Sequence, residues 1–223
     1  MDKNFRIIAV GDLHENVDFN ELIIEEIKRA DLVIITGDLT QYGGVEEARK
    51  VTDFIAAVNR NLLAQPGNLD APEVDSYFSD REISIHGKGK VIENIGIFGV
   101  GGSNKTPFST PNELTEERIT DLLIKGYKEV NNAGIKIMVP HMPPFNTSVD
   151  ITGKDLHVGS ASVRNFIEQY QPDLCITGHI HESAGEDRIG STDILNPGPL
   201  GWGGFVTIDV KDNSCSAELK FMK

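Results

Sequence analysis

Seven side chains of the types that hold metal ions are spread through five short motifs in this sequence. The motifs are Asp12-Leu13-His14, Gly37-Asp38, Gly67-Asn68-Leu69-Asp70, His141 and Gly178-His179-Ile180-His181. Carboxylate and imidazole donors with no thiolate among them suit manganese, iron, zinc or nickel, rather than a structural all-cysteine zinc site. In Asp12-Leu13-His14 and His179-Ile180-His181 the two donors flank one apolar residue. On an extended segment that spacing sends both donors to one side and turns Leu13 or Ile180 toward the core. Asn68 offers a neutral amide oxygen, and Asp38 can bridge two ions because both of its carboxylate oxygens can ligate.

Each motif alone has a plainer reading. Asp-Leu-His is an ordinary loop or cap, residues 65–72 form a turn, and His141 before Met-Pro-Pro belongs to a rigid bend. The set is harder to dismiss, because four of the six histidines fall in these motifs and each motif directly follows an apolar run.

Those runs are the elements that must position the donors. Residues 5–10, 31–36, 60–64, 135–140 and 173–177 are strand candidates, and each exits into one motif. Between them, Asp18 with Glu21 forms a capping-box start for a helix through Arg29. Val45, Ala48, Val51, Ile55 and Val58 recur at helical spacing over 45–59. Residues 115–131 and 160–170 complete the expected helices, the first with Glu116 and Glu117 at the positive end of its dipole. Residues 82–102 read as a hairpin turning at Gly87-Lys88-Gly89, then a further strand and a glycine-rich loop; 186–221 reads as short antiparallel strands. The alternation predicts an α/β fold, where loops at the carboxyl ends of strands line the ligand crevice. No repeat or linker interrupts it, so one domain over 1–223 is expected.

The chain is acidic, with a formal charge of −13 and a pI near 4.8. That argues against nucleic-acid or membrane-surface partners recruited by bulk electrostatics. An anionic substrate would need a local positive spot, which metal ions supply. Cys175 and Cys215 form no pairing pattern, and the opening apolar stretch is too short for a signal sequence, so a cytoplasmic protein without membrane partners is expected.

The segments GDLHEN, TGDLT, PGNLD, PHMPP and TGHIHES, in that order, resemble the calcineurin-like metallophosphoesterase superfamily. The resemblance implies a four-layer α/β/β/α sandwich with two mixed β-sheets flanked by helices. It also implies two divalent transition-metal ions, manganese favoured, with Asp12, His14, Asp38 and His181 on one and Asp38, Asn68, His141 and His179 on the other. The implied reaction is hydrolysis of a small phosphomonoester or phosphodiester by hydroxide held between the ions.

One position departs from the family, which commonly carries His where this chain has Leu69; that His helps protonate the leaving oxygen or steady the phosphate. Asp70 suits fixing the loop better than direct ligation. His157, in the polar stretch before the 160–170 helix, is the candidate replacement acid or phosphate contact, the alternative being an exposed loop histidine. His86, beside the expected hairpin turn, reads as exposed. Residues 99–107 could offer backbone amides or Lys105 to a phosphate, or be a simple loop. Leu69 also admits a non-catalytic scaffold on the same fold, as in the retromer subunit; the full donor set opposes it. A Ser-His-Asp hydrolase is disfavoured because no Gly-x-Ser-x-Gly elbow is present.

Overall fold

A computed structural model describes residues 4–222; the expected domain's terminal residues 1–3 and 223 lie outside the described residues. The element order is β1 Phe5–Val10, α1 Glu21–Arg29, β2 Leu32–Ile35, α2 Val45–Val58, β3 Leu62–Ala64 and α3 Glu73–Asp80. It continues with β4 Gly89–Ile92, β5 Ile95–Val100, α4 Glu116–Val130, β6 Ile135–Pro140, α5 Ala161–Tyr170 and β7 Leu174–Ile176. Four strands close the chain: β8 Gly185–Ile189, β9 Thr192–Asn196, β10 Gly204–Lys211 and β11 Ser214–Phe221.

The strands form two mixed sheets, ordered β11-β10-β1-β2-β3 and β4-β5-β6-β7-β9-β8. Strands β1, β2 and β3 run parallel, as do β5, β6, β7 and β9. Their carboxyl ends therefore lie together within each sheet, and every metal-type motif exits from one of them.

Side-chain alternation along the strands builds three apolar layers. From β1, Ile7 and Ala9 face the second sheet, while Ile8 and Val10 face α1, α2 and α3. From β5, Ile95 and Ile97 join the layer between sheets, and Phe98 and Val100 pack under α4 and α5. A run such as Ile-Ile-Ala-Val, apolar on both faces, belongs in a strand covered on both sides. The result is the four-layer sandwich that the resemblance implied. Each fully buried aliphatic side chain here contributes about 1.5–3 kcal/mol.

Three sequence expectations need correction, and one helix, α3, was not expected. Helix α1 is capped by Asn20, whose Oδ1 accepts the Leu22 N–H at 2.9 Å, not by Asp18. Asp18 instead donates its backbone N–H to Asn16 Oδ1. The hairpin turns at Glu93-Asn94, since Ile92 pairs with Ile95, rather than at 87–89. Asn94 suits that place because it also reaches Gly134 and Asn213. Residues 83–86 run instead along Ala64, with Ile85 N–H donating to the Ala64 carbonyl, which half-buries His86 rather than exposing it. Helix α3 lacked a strong periodic signal, yet Val74 and Phe78, four apart, are fully buried and anchor it.

Among the described residues no helix is long and apolar enough to cross a membrane, and Cys175 and Cys215 are both free. Phe78 is among the largest fully buried side chains. Phe78→Ala should lower unfolding stability by about 3–5 kcal/mol in denaturant titration, through lost transfer energy and a cavity.

Candidate metal centre

Two groups of donors assemble where the strands end. Asp12, His14 and His181 bring their ligand atoms within 4.8 Å of one another, and so do Asp38, His141 and His179. Asn68 adjoins the second group, with Oδ1 3.2 Å from His141 Nε2. All seven sequence-identified donors thus fall into two adjoining clusters. Asp38 groups with His141 and His179, while its charge also acts on His181 of the first cluster.

The loops reach this geometry by a different local route than an extended segment. Asp12, His14, Asp38 and His179 have φ of 49°, 48°, 49° and 69°, all in the left-handed region. Such residues cost about 1–3 kcal/mol each unless the surroundings hold them, and they concentrate at functional sites. The Asp12 N–H donates to the Gly37 carbonyl, and the Leu13 and His14 N–H groups both donate to the Asp38 carbonyl. Leu13 and Ile180 are buried, at 2% and 8% exposure, as the donor-apolar-donor spacing requires. Two glycines allow the close approach. At Gly37 φ is 129° and a Cβ would lie 2.5 Å from His141 Nδ1; at Gly67 a Cβ would lie 2.0 Å from Asp38 Oδ1.

Asp70 organises both loops from behind. Its carboxylate accepts N–H bonds from Gly67 at 2.7 Å, Leu39 at 3.1 Å and Thr40 at 2.8 Å. This loop-fixing part matches its place in the motif. Burial and the neighbouring Asp38 charge raise its pKa to about 6. Gln65 was not singled out by any sequence signal. Fully buried between the sheets, it donates through Nε2 to the carbonyls of Thr36 and Val139. The Thr36 carbonyl also lies 3.2 Å from His141 Nδ1. A carbonyl only accepts, so Nδ1 carries hydrogen and Nε2 is the atom turned to Asn68 and Asp38.

Electrostatics sharpen the picture. Asp12 and Asp38 are 1% and 2% exposed, and among the described residues their only ion-pair partners are His181 and His141. Burial raises the Asp38 pKa, but His141 and the Leu69 N–H outweigh it and hold the carboxyl below its ordinary range. Burial would lower His141; the Asp38 charge, with Asp12 and Asp70, overrides it and lifts His141 to about 9. Desolvation and neighbouring His141 drive His179 down to about 4. His14 Nε2 and His181 Nε2 stand 3.2 Å apart, and the buried His14 Nδ1 has no partner. Two buried carboxylates without Lys or Arg, beside facing imidazole nitrogens, form a donor set short of positive charge. Divalent cations fit it.

His157 lies in neither cluster. Its Nδ1 is 2.6 Å from Oδ1 of buried Asp150, which also accepts N–H bonds from Asn146, Thr147 and Gly159. Its ring packs edge-on to Phe145 at 6.0 Å. His86 is held by accepting the Gly101 N–H at Nδ1, and its desolvation lowers its pKa. Three amides of the 99–107 loop are spent internally: Gly101 on His86, Gly102 on Pro66 and Ser103 on Asn112. Lys105 pairs with Glu113 at 3.7 Å. These bonds match the simple-loop reading of the segment.

Known proteins agree with this architecture. The calcineurin-like phosphoesterase family model matches residues 5–183. An uncharacterized protein of Methanocaldococcus jannaschii, MJ1162, is 40% identical over 219 residues, covering 96% of this chain and 95% of that one. A protein of Arcobacter nitrofigilis named probable glycerophosphodiester phosphodiesterase GpdQ is 25% identical over 183 residues, covering 76% of this chain and 64% of its own. Among solved structures, TT1561 of Thermus thermophilus superposes with a TM-score of 0.72 at 17% identity, covering 97% of this chain and 99% of that one. The purple acid phosphatase PPD1 from yellow lupin superposes with a TM-score of 0.64 at 13% identity, covering 99% of this chain and 52% of its own. At such identities these two likenesses speak for the fold alone. With the family match spanning most of its length, the chain belongs to the calcineurin-like phosphoesterase family.

Proposed function

We propose that this protein, as a single domain over 1–223, is a metal-dependent phosphoesterase acting on small phosphomonoesters or phosphodiesters in the cytoplasm. The observation that carries the reading is the pair of adjoining donor clusters, Asp12-His14-His181 and Asp38-His141-His179, built around two buried, under-compensated carboxylates. Asp12, His14 and His181 would hold one divalent ion, and Asn68, His141 and His179 the other, with Asp38 shared. Manganese is the favoured ion. A bound pair of this kind lowers the pKa of a coordinated water and neutralises charge on a phosphoryl group.

The chain's own residues supply the rest. His14, His179 and His181 are half-buried while Asp12, Asp38, Asn68 and His141 are buried, so a phosphoryl group approaches over the histidine side. The Leu69 N–H, 2.8 Å from Asp38 Oδ1, aims that carboxylate. Asp150 orients His157 through Nδ1, which leaves Nε2 to hand a proton to a leaving oxygen. The scaffold alternative rests on Leu69 and is weakened by the retention of all seven donors.

Three outcomes test the reading. Protein supplied with manganese should hydrolyse bis(p-nitrophenyl) phosphate or p-nitrophenyl phosphate, and Asn68→Ala should lower kcat about a hundred-fold; unchanged turnover would sink the mechanism. His157→Ala should reduce kcat by about 10²-fold or more for an alkyl ester but far less for a p-nitrophenyl ester, whose leaving group needs no proton. Equal losses on both esters would remove the acid role.

Metal loading should also depend on pH. His141 rises from 6.5 to about 9, so its protonated interaction stabilises the metal-free protein fully below pH 6.5 and is lost as pH climbs through 9. Metal must displace that proton. The increase in melting temperature caused by manganese should therefore grow between pH 6.5 and 9, and a flat response would contradict His141 as a ligand.

A further inference from the structure

We infer that Trp202 and the cavity beside it form a subsite for a planar aromatic ring on the leaving group, making phosphoesters of ring-bearing alcohols the preferred substrate class. This deepens the phosphoesterase reading and rests on it. The indole stands against the candidate ligand His181, ring centroids 5.8 Å apart and nearly perpendicular at 79°. It is 65% exposed, although tryptophan is highly buried on average.

The exposure does not reflect a loose chain. Leu200 N–H donates to the Gly11 carbonyl, next to Asp12, and Trp202 N–H donates to the Pro199 carbonyl. Gly203, at φ 89°, closes the turn by donating to Leu200 and receives the Met222 N–H. Backbone bonds thus tie the turn that carries the indole to the loop that carries Asp12. A rigid aromatic platform loses little entropy when a ring stacks on it.

Trp202 also lines a cavity of about 230 Å³ with Phe19, Ile23, Leu200 and Met222, and with Asn16, Asp18 and Asn20 as its polar part. Asn16 Oδ1 is engaged by the Asp18 N–H, which leaves its amide hydrogens for a ring substituent. The volume suits one ring that carries polar substituents, since apolar and polar side chains both line it. Nine large hydrophobic side chains are exposed among the described residues; Val17, Tyr42, Phe108, Phe145, Leu156 and Trp202 sit on loops at the carboxyl ends of the strands. These six lie at the same end of the strands as the donor clusters, and Trp202 is the one whose ring meets a donor, His181.

Trp202 is the chain's single tryptophan, so its fluorescence reports the subsite directly. Manganese-loaded protein would be titrated with phenylphosphonate, adenosine 5′-monophosphate and the ringless methylphosphonate. Saturable quenching at lower concentration by either ring-bearing probe supports the subsite, and whichever binds tighter assigns the ring as aryl or nucleobase. Equal response to methylphosphonate, or none to any probe, overturns it. In turnover, Trp202→Ala should shrink the kcat/KM preference for phenyl phosphate over glycerol 3-phosphate by roughly ten-fold, mainly through KM, and Trp202→Phe should restore most of it. Equal losses on both esters would overturn the subsite while leaving the phosphoesterase reading intact. If the wild-type protein hydrolyses neither ester, that reading falls, and the fluorescence titration alone decides the subsite.

Discussion

Two carboxylates taken out of water with no Lys or Arg pairing with them among the described residues set the terms for everything around them. Asp12 and Asp38 are each about as buried as the aliphatic core, yet histidines are their only ion-pair partners among the described residues. An isolated buried carboxylate is expensive, and a protein keeps one only when something else compensates it. Here compensation is partial and visible. His141 is pulled up to about 9 by Asp38, while desolvation first and the neighbouring His141 charge second push His179 down to about 4. The cluster therefore contains more donor atoms than protons to share.

The rest of the molecule can be understood as the frame that makes this crowding tolerable. Parallel strands in both sheets end at one level, so loops from sequence-distant segments meet without long excursions. Gln65 then ties the sheets together at that level by donating to Thr36 in one and Val139 in the other. Four donor residues in left-handed backbone would unwind a free loop. They persist because the Asp12 and Asp38 loops bond to each other, and Asp70 holds the Asp38 and Asn68 loops with three N–H bonds. Apolar packing on both faces of β1 and β2 supplies the rigidity behind them.

The donors and the strands that carry them were readable in the sequence because both signals are local. Apolar runs such as Ile7–Val10 ending at Gly-Asp mark a buried strand and its exit without knowledge of any partner. What escaped detection depends on distant contacts. The α1 cap moved from Asp18 to Asn20 because Asn16 already claims the Asp18 N–H. His86 looked exposed beside Gly87, but Ala64 and Gly99 draw its segment between the two sheets. Gln65 carries no motif; its role exists only once the sheets face each other. Trp202 carries no motif either; its place follows from a turn bonded to Gly11.

Leu69 shows how the family motif can change without dismantling the centre. Within Gly-Asn-Leu-Asp, three contributions come from atoms that a substitution at position 69 leaves in place: the Asn68 amide oxygen, the Asp70 carboxylate and the Leu69 backbone N–H. That N–H donates to Asp38 whatever side chain the residue bears. A half-buried leucine therefore preserves loop geometry and forfeits only what an imidazole there would do for the phosphoryl group. In the family that imidazole protonates the leaving oxygen or steadies the phosphate, and the first task matters in proportion to the basicity of the leaving oxygen. A chain that keeps the donors but drops this imidazole either favours esters with stable leaving groups or draws the proton from another residue. His157, steered by Asp150 and flanked by Phe145, has the required chemistry, and aromatic leaving groups of the kind Trp202 would recognise ease the same demand from the substrate's side.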